Sequence, residues 1–137
     1  MDKKKEYKQL LHDVGLKATN SRIYVLNFFD DVKRPVCVKD IDENINCIDN
    51  VTIYRIVDIF LQKGIVRAVH VCGDSRFFEL AALPHHHHII CKECGMIEDI
   101  NNCNLKKVIK EIEKGSCKFN SITEHTFELF GICKECK

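Results

Sequence analysis

The sequence is short of net charge, of proline and of long apolar runs, and each shortage narrows what the chain can do. Twenty-one lysines and arginines almost cancel twenty aspartates and glutamates, leaving a formal charge of +1. Bulk electrostatics therefore gives no support for nucleic-acid binding, and any DNA contact must come from a local patch. No apolar stretch approaches the roughly 20 residues that a membrane helix needs. The segment 1–9 is lysine-rich without an apolar region behind it, so no secretory segment is read. A cytoplasmic location without a membrane partner is expected. No His-x-Glu sequence occurs, which argues against zinc-deaminase chemistry and leads us to expect no enzyme here. The two prolines, Pro35 and Pro84, both fall where the local pattern breaks.

Against these shortages stand nine cysteines and seven histidines in 137 residues. An odd cysteine count, paired spacing and no signal segment oppose a secreted disulfide framework. Four of the cysteines form two identical Cys-Lys-Glu-Cys knuckles, Cys91/Cys94 and Cys133/Cys136. A two-residue gap lets both sulfurs of a pair turn toward one ion, and tetrahedral Zn²⁺ takes four such donors. Cys91, Cys94, Cys133 and Cys136 are the expected structural zinc site, with one Zn²⁺ per subunit. The spacing Cys-x₂-Cys-x₃₈-Cys-x₂-Cys makes that ion a clamp for a subdomain rather than for a single loop. Cys37, Cys47, Cys72, Cys103 and Cys117 are expected to be small buried side chains.

A 45% hydrophobic and 30% charged composition describes a soluble globular chain with one ordinary core or two small ones. Tyr7, Leu10, Leu11 and Val14 have helical spacing within residues 6–14, and Gly15 ends the run. Thr19 is placed to cap a second helix carrying Ile23, Leu26 and Phe29 or Phe28 inward, which Lys33-Arg34-Pro35 stops. A short helix over residues 38–44 follows. Asn50 reads as the cap of a further helix, with the stripe Ile53, Ile56, Val57, Phe60 and Leu61, and Gly64 at its end. Residues 65–71 and 76–80 read as strands around a turn at 72–75. Helices followed by a hairpin describe a winged helix-turn-helix, with the helix near Val51 as the recognition helix. Beyond Pro84, residues 85–91, 96–100 and 121–130 read as strands, and 105–113 as a helix capped by Asn104. The fold class expected is thus α+β. A winged-helix DNA-binding domain spans residues 1–83, and a small α/β domain with the four-cysteine zinc site spans 84–137.

His85, His86, His87 and His88 stand in a row on an expected strand, where successive side chains point to opposite faces. His86 and His88 then share one face and His85 and His87 the other, which suggests two separate metal grips. Glu79, at the end of the hairpin, is a candidate third donor for the first pair. His125, before the second knuckle, is a candidate for the other. Such nitrogen and oxygen sites suit Fe²⁺, Mn²⁺, Zn²⁺ or Ni²⁺.

Taken in order, these elements resemble the ferric uptake regulator family of metal-dependent repressors. The resemblance rests on Gly15-Leu16-Lys17-x-Thr19-x-x-Arg22, Val51-Thr52-Ile53-Tyr54-Arg55, Gly64-Ile65-Val66, Phe78-Glu79-Leu80, the histidine run, Cys91-x-x-Cys94-Gly95 and Gly131-x-Cys133-x-x-Cys136. It implies a homodimer, joined through residues 84–137, that binds a pseudo-palindromic double-stranded DNA operator when a regulatory metal is loaded. The regulatory site it implies is Glu79, His86 and His88, and the second metal site is His85, His87 and His125. Many members add a histidine where this chain has Pro35, so either the site has fewer ligands or His70, Cys37 or Cys72 substitutes. The acidic ligand of the second site falls near Lys106, leaving Glu111 or Asp99 to complete it. Peroxide sensors of the family tend to use aspartates, one of them where Asp99 lies. Zinc-uptake regulators tend to bring a cysteine shortly before the histidine strand, and residues 80–84 have none. Iron-dependent repression of metal-uptake genes is the reading preferred here. Peroxide, zinc, manganese or nickel sensing are the alternatives within the family.

DNA contact is expected from Tyr54 and Arg55 with Thr52 beside them, and from Lys17 and Arg22 toward phosphate or the minor groove. Lys3–Lys5 would add a loose basic arm. Core packing is the competing role for Tyr54. Outside the family, a zinc-binding thiol oxidoreductase or a metal-storage module without DNA function are the rivals.

Overall fold

In a computed structural model, the structure describes residues 2–69, 75–84, 86–101 and 104–137. The chain forms two compact units, Met1–Leu83 and Pro84–Lys137. Unit one begins with four helices, α1 (Lys3–Asp13), α2 (Asn20–Val32), α3 (Val38–Asn44) and α4 (Asn50–Gln62). The hairpin β1 (Val66–Val69) and β2 (Phe77–Leu80) follows. Local chemistry sets most of these boundaries. The Thr19 hydroxyl accepts from the Arg22 N–H at 3.3 Å and starts α2. Gly64, at φ +75, takes the left-handed turn that ends α4.

Two starts differ from the sequence reading. Asp2 caps α1 by accepting from the Lys4 N–H, so Lys3–Lys5 form its first turn instead of a loose arm. Lys3 is held there by Asp30 at 3.2 Å. The cap of α4 is Asp49, not Asn50, because its carboxylate accepts from the Thr52 N–H at 2.8 Å. A charged acceptor at a helix N-terminus is favoured by the helix dipole as well as by the bond itself.

The core of unit one is continuous and apolar. Leu11, Val25, Phe29, Ile41, Ile53 and Phe60 are almost fully buried at its centre. The α4 stripe packs there because Ile53, Ile56, Val57 and Phe60 recur at helical spacing. An isolated bridge ties Val36, just before α3, to Phe78 of β2, through bonds of 2.9 and 2.8 Å. The start of α3 is thereby stapled to the wing. The turn read at 72–75 lies outside the described residues apart from Ser75.

Unit two carries β3 (His87–Cys91), β4 (Ile97–Ile100), α5 (Leu105–Gly115) and β5 (Glu128–Gly131). Its sheet has the order β4-β3-β5, antiparallel on one side of β3 and parallel on the other. The expected strand over 121–130 shrinks to β5, since only these four residues find partners on β3. Before it the chain is held otherwise, with the Ile122 N–H donating to Glu113 at 2.8 Å. Asn104 precedes α5 as expected, but its side chain makes no capping bond. Among the described residues of this unit, the buried side chains are Ile90, Cys91, His87 and His88. No residue of α5 is buried, and Val108 and Ile112 of its apolar stripe are about half exposed. Among the described residues, no helix is long and apolar enough to cross a membrane.

Candidate metal centres and nucleic-acid interface

The two knuckles meet. All four sulfurs of Cys91, Cys94, Cys133 and Cys136 lie within 4.8 Å of one another. Cys94 Sγ is 3.7 Å from Cys133 Sγ, and Cys91 Sγ is 4.0 Å from Cys136 Sγ. A disulfide would need about 2.05 Å. Four sulfurs about 2.3 Å from a tetrahedral ion stand about 3.8 Å apart, so these spacings are the edges of a metal tetrahedron. Strand pairing builds it: Cys91 ends β3 opposite Gly131, which ends β5 and leads to Cys133. Backbone N–H groups of Cys94 and Cys133 point at the Cys91 sulfur and lower its pKa to about 6. The neighbouring sulfurs of Cys133 and Cys94 push Cys136 up to about 12. One thiolate is welcomed and further ones repel, a conflict that a bound dication relieves. The residues present therefore fit a structural zinc ion.

Three of the loose cysteines are described, and none is buried. Cys47 and Cys117 are exposed and Cys37 is intermediate, against the expectation of small core side chains. Cys47 lies in the α3–α4 loop between Ile45 and Ile48, which take the places at the core while its own side chain is exposed. Cys117 lies just beyond α5, none of whose residues is buried. Cys72 and Cys103 lie outside the described residues.

Within unit two the histidines separate into two groups. The His86 and His88 rings lie edge to face with centroids 4.7 Å apart, and His87 faces His125 at 5.3 Å. His85 lies outside the described residues. His86 Nδ1 is 2.6 Å from the Pro84 carbonyl and His87 Nδ1 is 3.1 Å from that of Phe127. A carbonyl only accepts, so each Nδ1–H donates to it, and Nε2 is the ring nitrogen left to face a metal.

Asp99 stands opposite His88 in the β3–β4 register, and so on the face of His88 rather than that of His87. As a partner for His87 and His125 it is therefore misplaced. Its Oδ1 is 3.5 Å from His88 Nε2, long for a hydrogen bond. Two ligands about 2.1 Å from one ion stand about 3.0–3.4 Å apart, close to this gap. In unit one, Glu79 is 2% exposed and its carboxylate accepts from Arg67 Nε at 2.8 Å, its cross-strand partner. A buried carboxylate needs such a compensating cation.

Pro35 is fully buried and offers no donor where the resemblance places a further histidine. Of its three candidate substitutes, Cys37 alone is described. It lines a cleft with Tyr54 and Arg55, and its N–H is held by Asp40 at 3.0 Å.

The recognition helix displays its polar residues. Tyr54 is 58% exposed, which removes the core-packing role, and Arg55 is exposed next to it. The Thr52 hydroxyl donates to Asp49 at 2.9 Å, so its proton serves the helix cap. Arg22 Nη1 donates to the Lys17 carbonyl at 2.9 Å, bracing the turn that presents the exposed Lys17.

The sequence pattern of the ferric uptake regulator family matches residues 13–130. The chain belongs to the ferric uptake regulator family. It is similar to the ferric uptake regulation protein of Vibrio cholerae, with 31% identity over 137 residues covering 91% of this chain and 85% of that protein. The Legionella pneumophila protein of the same name is 28% identical over 139 residues, covering 96% and 99%. Among solved structures, the Vibrio cholerae ferric uptake regulator superposes with a TM-score of 0.80 at 29% identity, covering 92% of this chain and 98% of that one. This family member is thus a metal-responsive, DNA-binding transcriptional regulator with a winged helix-turn-helix and a small α/β unit. Sequence reasoning missed the pairing of Asp99 with His88, which depends on strand register and has no local signal.

Proposed function

We propose that this regulator is a homodimeric repressor of metal-uptake genes, with Fe²⁺ as its cognate ion and Glu79, His86 and His88 as the regulatory ligands. The observation that carries this reading is the burial of unlike polar groups that a fold seldom buries without use. Glu79 is 2% exposed and His88 5%. Asp99 beside His88 supplies a further oxygen. The set contains no thiolate, which suits iron or manganese better than an ion selected by sulfur. Relatives at about the same identity carry the name of ferric uptake regulation. A bound ion supplies charge and fixed coordination geometry, and it changes DNA affinity only by favouring one arrangement of the protein.

The second site is assigned to His87 and His125 with His85, and Zn²⁺ to the four cysteines. A second copy of the chain is the partner for the apolar surface of unit two. Ile89 and Leu129, paired in register, are over a third exposed, and Val108 and Ile112 of α5 are more so. On a pseudo-palindromic operator, Tyr54 and Arg55 reach the bases, Thr52 holds the first turn of α4, and Lys17 and Arg22 meet the backbone.

Metal analysis of anaerobically purified protein, followed by binding to promoter fragments titrated with Fe²⁺, Mn²⁺, Zn²⁺ and Ni²⁺, tests the reading. Binding should be tightest with Fe²⁺. His88→Ala should keep its fold and one zinc per subunit yet lose metal-dependent binding. Unchanged metal dependence in that variant would sink the assignment.

A further inference from the structure

Two clefts flank α4, and Arg55 lines both of them. One is bounded by Thr19 and Arg22 at the start of α2. The other, of about 420 Å³, takes Lys39 from α3, Tyr54, Arg55 and Asp58 from α4, and Ser75 and Arg76 at the entry to β2. Its walls present three cations against one carboxylate. That balance contrasts with a chain whose overall charge is only +1.

The backbone holds this second cleft in shape. The Val36–Phe78 bridge staples the start of α3 to β2, which sets Lys39 and Arg76 on neighbouring elements. The Arg76 guanidinium carbon lies 5.3 Å from the centroid of the buried Phe78 ring. Stacking on a ring holds a guanidinium flat while its N–H groups face sideways toward a planar or tetrahedral anion. Lys39 is 82% exposed, and its contact with Glu43 is 4.0 Å long, too weak to hold the ammonium back.

A recognition helix in the major groove runs between two phosphate backbones, so it gains from cations on both flanks. On the α2 side of α4, Arg22 answers that need. We propose that Lys39 and Arg76 bind a DNA phosphate on the wing side of α4, completing a two-sided grip around Tyr54 and Arg55. The proposal rests on the operator-binding reading above and extends it to two residues that no sequence motif marks. Contacts to phosphate carry no base information, so this pair sets affinity and register rather than sequence preference.

The test uses the full-length protein loaded with Mn²⁺ and a random-sequence duplex, with affinity measured over a series of NaCl concentrations. Each lost phosphate contact lowers the slope of log K against log salt by about 0.9. A homodimer carries each residue twice, so Lys39→Gln and Arg76→Gln should each reduce the slope by about 2. Arg76→Lys keeps the charge while losing the stack, and should retain most of the slope. Matching thermal melts by circular dichroism keep a folding defect from imitating the result. If both glutamine variants bind with an unchanged slope, the two-sided grip is overturned and the operator reading stands. If the unsubstituted protein binds neither this duplex nor a promoter fragment, both fall together.

Discussion

The two units of this chain solve the stability problem in opposite ways. Unit one buries a contiguous apolar cluster from four helices and a hairpin, with Phe29, Phe60 and Leu11 almost fully enclosed. Unit two encloses Ile90 and Cys91 beside two histidines, and leaves Phe119 and Ile112 more than half exposed and Ile132 close to half. A contiguous apolar core is self-sufficient; a sheet of three short strands with one uncovered helix is not. What unit two has instead is ligands. In the reading proposed above, its stability is delegated to a metal clamp and a partner surface, whereas unit one needs neither to hold α4 in place.

The largest effect that separates the two units is expected from Cys136→Ser. Structural zinc in small domains contributes on the order of 10–16 kcal/mol, far beyond what the enclosed side chains of unit two can replace. The variant should lose its zinc and its dimer while the melting transition of unit one persists. One retained zinc per subunit and an intact dimer by sedimentation would overturn the contrast. Phe60→Ala tests the other side. Emptying that site should cost about 3–5 kcal/mol in denaturant unfolding, with zinc content unchanged.

Tyr7→Phe gives the smallest effect, about 1 kcal/mol near neutral pH. The Tyr7 hydroxyl donates to Asp30 at 2.7 Å and joins α1 to α2. That bond, ahead of the help from Lys3, lowers the Asp30 pKa below its ordinary 3.8. The folded state then binds the proton less readily than the unfolded one, so this stability is present above pH 3.8 and is lost as pH falls through the lowered value. Burial, then the same bond, raises Tyr7 above its ordinary 10.0, so its share is present below that pH and lost on going higher. The difference between the two proteins should therefore fade at both extremes. A difference constant with pH would show that the ring alone matters.

Legibility in the sequence followed the range of the interaction. Thr19, Gly15 and Gly64 mark helix ends because a cap or a left-handed turn is a matter of a few residues. The α4 stripe was readable for the same reason. Asn50 and Asp49 are equally good caps on paper, and only the carboxylate bond to Thr52 separates them. The strand read over 121–130 was overlong because alternation alone cannot say how many residues find a partner. Cys47 and Cys117 were misjudged because burial depends on which loop side chains face a core, and beside Cys47 that place goes to Ile48.

The sequence by itself determined the inventory: two knuckles, a histidine run, a winged-helix order of elements and the family to which they belong. Spacing of two, three or four residues dictates which side chains can share an ion or a helix face. Tertiary structure decided the groupings. It brought Cys94 within 3.7 Å of Cys133, turned His87 toward His125, and set Asp99 against His88. Those choices depend on strand register across gaps of ten to forty residues, where shifting by one residue would turn every side chain to the other face.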